Sequence, residues 1–233
     1  MTRRRILTVG DSFTFGEELP DREQHAFPYL LRDYLGVNEV INLGLSGASS
    51  DYVFRTTIET LISDPDPFDL VLVCWPEQSR FEAIHNHPSF VPTESAPHIK
   101  PMACLIRKPG KATPGYEPKW VQEYYKYSYD TAWGYRKQFN QMIALQAFLK
   151  QRKQPYAMYN VAGLQGEYGR YKVFLQHQFA GIDSNNFIGW PLDGLLEWQG
   201  DCVKAPGGHP LELGHQRIAK VIYEHIRNSG WFS

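Results

Sequence analysis

The chain has 233 residues, 42% hydrophobic and 21% charged, with 24 Lys+Arg against 25 Asp+Glu for a formal net charge of −1. These proportions supply a buried core and exclude an intrinsically disordered chain. The balanced charge argues against nucleic acid as a partner, and no apolar run reaches the roughly 18–20 residues that span a bilayer.

The amino terminus, Met1-Thr-Arg-Arg-Arg5, has the charge of a signal peptide, but the apolar run after it is only Ile6–Val9 before Gly10. That is shorter than the roughly 7–15 apolar residues of a secretory segment. The arginines are therefore expected to flank a strand. Cys74, Cys104 and Cys202 show no metal-like pairing and read as reduced thiols, so a cytoplasmic location is expected. Cys74, within an apolar run, reads as a buried thiol.

Arg5-Ile-Leu-Thr-Val9 predicts a buried first strand ending at Gly10. Phe27, Leu30, Leu31 and Tyr34 recur at helical spacing and predict a helix over 24–35, with Pro28 in its first turn. Val40–Leu43 predicts a second strand, followed by the turn-rich Gly44–Ser50, and Asp51–Ile62 a helix. Asp69–Trp75 is continuously apolar, the mark of a central strand covered on both faces. Tyr135, Phe139, Met142, Leu145 and Leu149 predict a long amphipathic helix, Pro155–Tyr159 a fourth strand, and Leu211–Ile226 a last helix with Pro210 at its first position. Strands alternating with helices imply a parallel sheet with helices on both faces, and reactive groups at the strands' carboxyl ends.

Residues 84–130 break this rhythm. The stretch is proline-rich, lacks a continuous core pattern and reads as an insertion into a single domain spanning 1–233. From Tyr116 to Tyr135 it packs eight aromatics into 20 residues, where the chain's 14% aromatic share would give about three. Such a cluster can wall a ligand site or pack the insertion onto the main domain, and packing is favoured. His85-Asn-His87 could be half of a metal site, but no carboxylate or cysteine cluster accompanies it, so no metal is expected.

Three segments at strand ends could carry chemistry. Gly10-Asp-Ser12, directly after the first strand, would expose a serine hydroxyl and its backbone N–H on a tight turn; a simple helix-capping turn is the alternative. Asn42-x-Gly-x-Ser-Gly47, after the second strand, leaves N–H groups open to a developing oxyanion, although turn-forming glycine explains it equally well. His209-Pro210, before the last helix, could take a proton from Ser12 or simply cap its own helix, while His215 reads as structural.

Together these blocks resemble the SGNH (GDSL) hydrolase family, in the right order and over nearly the whole chain. The resemblance implies a flavodoxin-like three-layer α/β/α sandwich with a central parallel sheet. It implies Ser12 as nucleophile, His209 as general base and Gly47 as an oxyanion-hole donor, with no cofactor. Two departures stand out. The family's Gly-x-Asn-Asp block is replaced by Cys74-Trp-Pro-Glu-Gln-Ser-Arg-Phe-Glu82, where Gln78 could supply the missing amide or Ser79 a hydroxyl. The family's Asp three residues before the histidine is Pro206 here, leaving Asp201 or the more distant Asp193 to fold in as the orienting acid, or a backbone carbonyl to serve. Arg80 flanks the site as a candidate substrate contact, with a salt-bridged loop as the alternative. The Trp75…Arg80-x-Glu82 variant is similar to a divergent subgroup met in phage and environmental sequences.

Losing one oxyanion donor costs roughly 10²–10³ in turnover, and losing the orienting acid about 10⁴. Either substitutes exist, or the site no longer catalyses. The expectation is a serine hydrolase acting on an ester, such as an O-acetyl group on a carbohydrate; the rival is an impaired module of the same fold that binds a glycan or a protein. The partner expected is a small-molecule or glycan ester. Sequence alone leaves the oligomeric state open.

Overall fold

The computed structural model describes residues 3–84, 103–106, 119–164 and 170–230. Four parallel strands form the central sheet: β1 (Arg5–Gly10), β2 (Glu39–Gly44), β3 (Leu70–Trp75) and β6 (Tyr156–Asn160), in the order β2-β1-β3-β6. Beyond β6 a single parallel bridge, Met158 to Phe187, continues the sheet by one residue pair. Every residue of β1 and β3 is buried, as the continuous apolar runs require of strands covered on both faces.

Alternate side chains enter two separate cores. Leu7, Val9, Val71, Val73, Trp75 and Met158 point to one face, against α4 (Ser50–Ser63) and α6 (Thr131–Gln151), which contribute Val53, Leu61, Phe139, Met142, Leu145 and Leu149. Ile6, Leu70, Leu72, Cys74, Ala157 and Tyr159 point to the other, against α3 (Phe27–Leu35) and α9 (Glu212–Ser229), through Phe27, Leu31, Ile218, Ile222 and Ile226. This is a flavodoxin-like three-layer α/β/α sandwich. Ser49 caps α4 by accepting from Tyr52 N–H, and Asp130 caps α6 by accepting from Trp133 N–H.

At the amino edge of the sheet, Arg5 bonds Glu39, Asp64 and the carbonyl of Asp66 through its guanidinium, and its own N–H donates to Asp69. The amino-terminal arginines thus do flank a strand, and Arg5 fastens it to two neighbouring loops.

Two expectations are corrected. The helix over 24–35 is two: α2 (Arg22–His25) and α3, separated by an extended Ala26. Pro28 lacks an N–H and its ring would strike the carbonyl of residue 24, so the helix has to restart. The freed Phe27 N–H donates to His215 Nδ1 at 3.2 Å. Pro210 lies outside the last helix, which begins two residues later; it sits instead in an antiparallel bridge with Lys204.

Within 84–130 the described parts are β5 (Ala103–Ile106), antiparallel to β4 (Phe81–Ile84) in a second small sheet, and α5 (Lys119–Tyr127). The rings of Tyr124, Tyr125, Tyr129 and Phe81 meet in tilted and edge-on contacts, and Tyr125 OH donates to the Ser79 carbonyl at 2.8 Å. These aromatics pack the segment against the loop after β3. His85 and His87, Tyr116 and the prolines at 88–118 lie outside the described residues. Among the described residues no helix is long and apolar enough to cross a membrane.

Candidate active site

Residues just beyond the carboxyl ends of β1, β3 and β6 border a cleft of about 320 Å³; Ser12 and Gly47 lie beside it and are not in its lining. Phe13, Tyr135, Leu164 and Leu196 are among its apolar walls; Glu77, Gln78, Arg80, Gln138, Asn160 and His209 supply its polar side chains.

At the end of β1, Asp11 adopts the extended conformation of a helix cap and its Oδ1 accepts from Phe13 N–H at 3.1 Å, which starts the one-turn helix α1 (Ser12–Phe15). Ser12 is therefore the first helical residue, 2% exposed. After β2, Ala48 N–H bonds the Leu45 carbonyl and Gly47 takes φ +80°, a type II turn that favours glycine at its third position. No hydrogen bond among the described residues uses the N–H of Ser12 or of Gly47. Two donors are thus left open on adjacent loops, as an oxyanion site needs.

His209 is held by a carboxylate. Its Nδ1–H donates to Glu18 Oε2 at 2.7 Å, while Glu18 Oε1 accepts from Gly207 N–H at 2.8 Å. Local conformation explains how they meet. After α1, Leu19 N–H bonds the Gly16 carbonyl, and Glu18 takes φ +65°, which is uncommon for a residue other than glycine. On the other side, Ala205-Pro-Gly-Gly208 forms a turn closed by Gly208 N–H to the Ala205 carbonyl. A Cβ on Gly207 would come within 2.5 Å of Glu18 Oε2, so a glycine is needed for this close approach. The hydrogen bonds to His209 and Gly207 hold the Glu18 carboxyl below its ordinary value. With Nδ1 occupied as a donor, the neutral imidazole has Nε2 free to accept a proton. The His209 ring meets the Phe13 ring edge-on, centroids 5.6 Å apart, which sets it beside α1. No hydrogen bond joins Ser12 Oγ to His209 here; such contacts often tighten only in the substrate complex.

Asp201 is not the acid that meets His209. Its carboxylate is 97% exposed and pairs with Arg217 Nη1 at 3.0 Å. Pro206, in the family's acid position, is the second residue of the turn that presents Gly207 to Glu18. Gln78 lines the cleft. Ser79 is buried, and its hydroxyl has no hydrogen-bond partner among the described residues. Arg80 lines the cleft too, but its Nη1 donates to Asp11 Oδ2 at 2.9 Å and to the Ala48 carbonyl at 3.1 Å. Cys74 is fully buried, which pushes its thiol well up, as for an inert core residue. His215 is buried as well, and burial depresses it to about 4.

Sequence reasoning missed Glu18 and Asn160. Asn160 ends β6 opposite Trp75 of β3 and faces the cleft. Glu18 lies 191 residues from its histidine, and the one signal for it was indirect: a proline where the family carries its acid.

Comparison with known families gives one match, to a family of unknown function, DUF6071, over residues 16–168. The chain belongs to this family. The DUF6071 match takes in Glu18, Gly47, Gln78 and Arg80. No curated protein matches the chain. Among solved structures, the DUF6071 chain is similar to the psychrotrophic esterase EstA from Pseudoalteromonas sp., with TM-score 0.55, 15% identity, and 97% of this chain and 98% of that one covered. It is similar to a family two carbohydrate esterase from Clostridium thermocellum, with TM-score 0.52, 12% identity, and 98% and 65% covered. A third similar structure is an acetyl xylan esterase from Butyrivibrio proteoclasticus, with TM-score 0.51, 13% identity, and 100% and 66% covered. The fold of this DUF6071 chain is that of the SGNH hydrolases.

Proposed function

We propose that the protein is a serine ester hydrolase in which Ser12 is the nucleophile, His209 the general base and Glu18 the acid that orients it. The observation that carries this reading is the 2.7 Å contact from His209 Nδ1 to Glu18 Oε2. A binding module has no need of a carboxylate behind a cleft-lining histidine; a general base does.

Ser12 Oγ attacks the acyl carbonyl carbon as its proton passes to His209 Nε2, and the new imidazolium is stabilised by Glu18. The N–H groups of Ser12 and Gly47 receive the oxyanion, with the Gln78 amide, at the cleft wall, as a third donor. Collapse breaks the ester C–O bond, His209 returns the proton to the leaving alkoxide, and an acyl-Ser12 remains. His209 then deprotonates a water that attacks this ester, releasing the carboxylic acid and restoring Ser12.

An acetylated carbohydrate is the substrate class favoured. Tyr135 and Phe13 line the cleft beside the amides of Gln78 and Asn160, a mixture of apolar and hydrogen-bonding groups suited to a sugar. Two of the similar structures are a carbohydrate esterase and an acetyl xylan esterase.

A second reading, a glycan-binding module of the same fold, draws on the burial of Ser12 and its lack of a bond to His209. One experiment separates them: hydrolysis of p-nitrophenyl acetate and of acetylated xylo-oligosaccharides by the protein and by Ser12→Ala. Turnover that disappears in the variant supports the hydrolase. Equal rates in both, with oligosaccharide binding retained, would replace it with the module.

A further inference from the structure

We propose that Arg80 is the positioning residue of the oxyanion site, holding the two loops that carry its backbone donors at a fixed separation. This deepens the hydrolase reading and rests on it.

The two backbone donors, Ser12 N–H and Gly47 N–H, sit on different loops, and their separation decides whether one oxygen can reach both. At their bases the loops are joined by Leu45 N–H to the Gly10 carbonyl at 3.0 Å. Nearer the donors, what ties them is Arg80. Its Nη1 donates to Asp11 Oδ2, on the residue before Ser12, and to the carbonyl of Ala48, on the residue after Gly47. One nitrogen on the third loop therefore spans the neighbours of both donors.

Asp11 relays the constraint. Its carboxylate is fully buried, with Oδ2 on Arg80 and Oδ1 on Phe13 N–H, so the start of α1 is fixed relative to the guanidinium. Arg80 is anchored in turn. Its carbonyl accepts from Lys137 Nζ, the neighbouring Ser79 carbonyl accepts from Tyr125 OH, and Glu82 N–H donates to Asp51, which also holds Lys137 and Gln141. The aromatic end of the 84–130 segment thus braces the loop that carries Arg80.

Two features separate this role from a substrate contact or a plain surface ion pair. The side chain is only 14% exposed, and its Nη1 is spent on protein acceptors, with Asp11 neutralising its charge. The orientation is set by the two loops that Nη1 must span.

The test compares the protein with Arg80→Lys, which keeps the charge but not the spanning geometry, and with the double variant Asp11→Asn/Arg80→Gln, which leaves no unpaired buried charge. Both are measured for kcat and KM on p-nitrophenyl acetate and for inhibition by phenylboronic acid, a tetrahedral oxyanion mimic. The expected result is a fall in kcat of about 10²-fold, with KM within about twofold and boronate affinity falling in step with kcat. A rise in KM at unchanged kcat would make Arg80 a substrate contact and overturn the proposal. So would unchanged kinetics in variants of a protein that shows Ser12-dependent turnover. Absence of Ser12-dependent turnover in the unaltered protein would overturn the hydrolase reading first, and this one with it.

Discussion

Replacing Glu18 by Gln changes one atom at the point where the histidine is held. The amide oxygen can still accept from Gly207 N–H, now at 2.8 Å, so the loop need not move. The amide nitrogen, however, then faces His209 Nδ1 and donates to it. That favours the imidazole tautomer with its proton on Nε2, which cannot accept from Ser12. In a fully buried triad such a change costs about 10⁴ in kcat. Here the Glu18 and His209 side chains are 25% and 17% exposed, and water can reorient with them, so a loss of about 10²–10³ in kcat is expected. KM for p-nitrophenyl acetate should stay within about twofold, because the ring is not moved from the cleft. Steady-state kinetics at pH 7 with thermal denaturation of both proteins makes the check. A kcat within about threefold of the unaltered protein, with the fold intact, would refute the assignment of Glu18.

Gly207→Ala should imitate that loss, because a Cβ 2.5 Å from Glu18 Oε2 pushes a flexible carboxylate aside and leaves the core untouched; kinetics beside a melting curve checks it. Asp201→Ala should change kcat little, since its carboxylate is exposed and pairs only with Arg217; a large loss would restore it as a candidate acid. As pH falls below the ordinary carboxylate range, Glu18 should lose its hold on His209, read as a fall in kcat. Its folded value is lowered, so its contribution is complete above the ordinary carboxylate range and disappears as pH falls through that lowered value. His215 acts earlier. Burial depresses it to about 4 from 6.5, so below pH 6.5 the unfolded chain binds a proton that the folded one refuses. Stability should therefore fall by roughly 2 kcal/mol between pH 6.5 and 5, read from urea midpoints, and His215→Gln should flatten that slope.

The fold was legible because its signals are local. Leu70–Trp75 could only be a covered strand, and the step pattern of Tyr135 to Leu149 matched the face α6 buries. Gly10-Asp-Ser12 and His209-Pro210 could be read as a pair because motif and strand end coincide. The acid could not. Asp201 is the nearest carboxylate upstream of His209 in sequence, whereas Glu18 reaches it from the far end of the chain through a left-handed turn. Arg80 was read as a substrate contact or a salt-bridged loop. Its bond to Asp11 fits the second, and its span to Ala48 depends on how β1 and β2 pair, which no local pattern encodes. Pro28 does sit in the first turn of α3, and what the periodicity hides is the break before it at Ala26; Pro210 falls outside its expected helix because it pairs with the distant Lys204.

The central claim is that Ser12 is an activated nucleophile. Its most direct test is stoichiometric labelling by a fluorophosphonate, followed by mass spectrometry of the labelled peptide; the similar Pseudoalteromonas esterase is inhibited by monoethylphosphonate. The account predicts one label per chain on Ser12, abolished in Ser12→Ala and His209→Ala and slowed in Glu18→Gln. Folded protein that takes no label, or takes it at the same rate without His209, would contradict it.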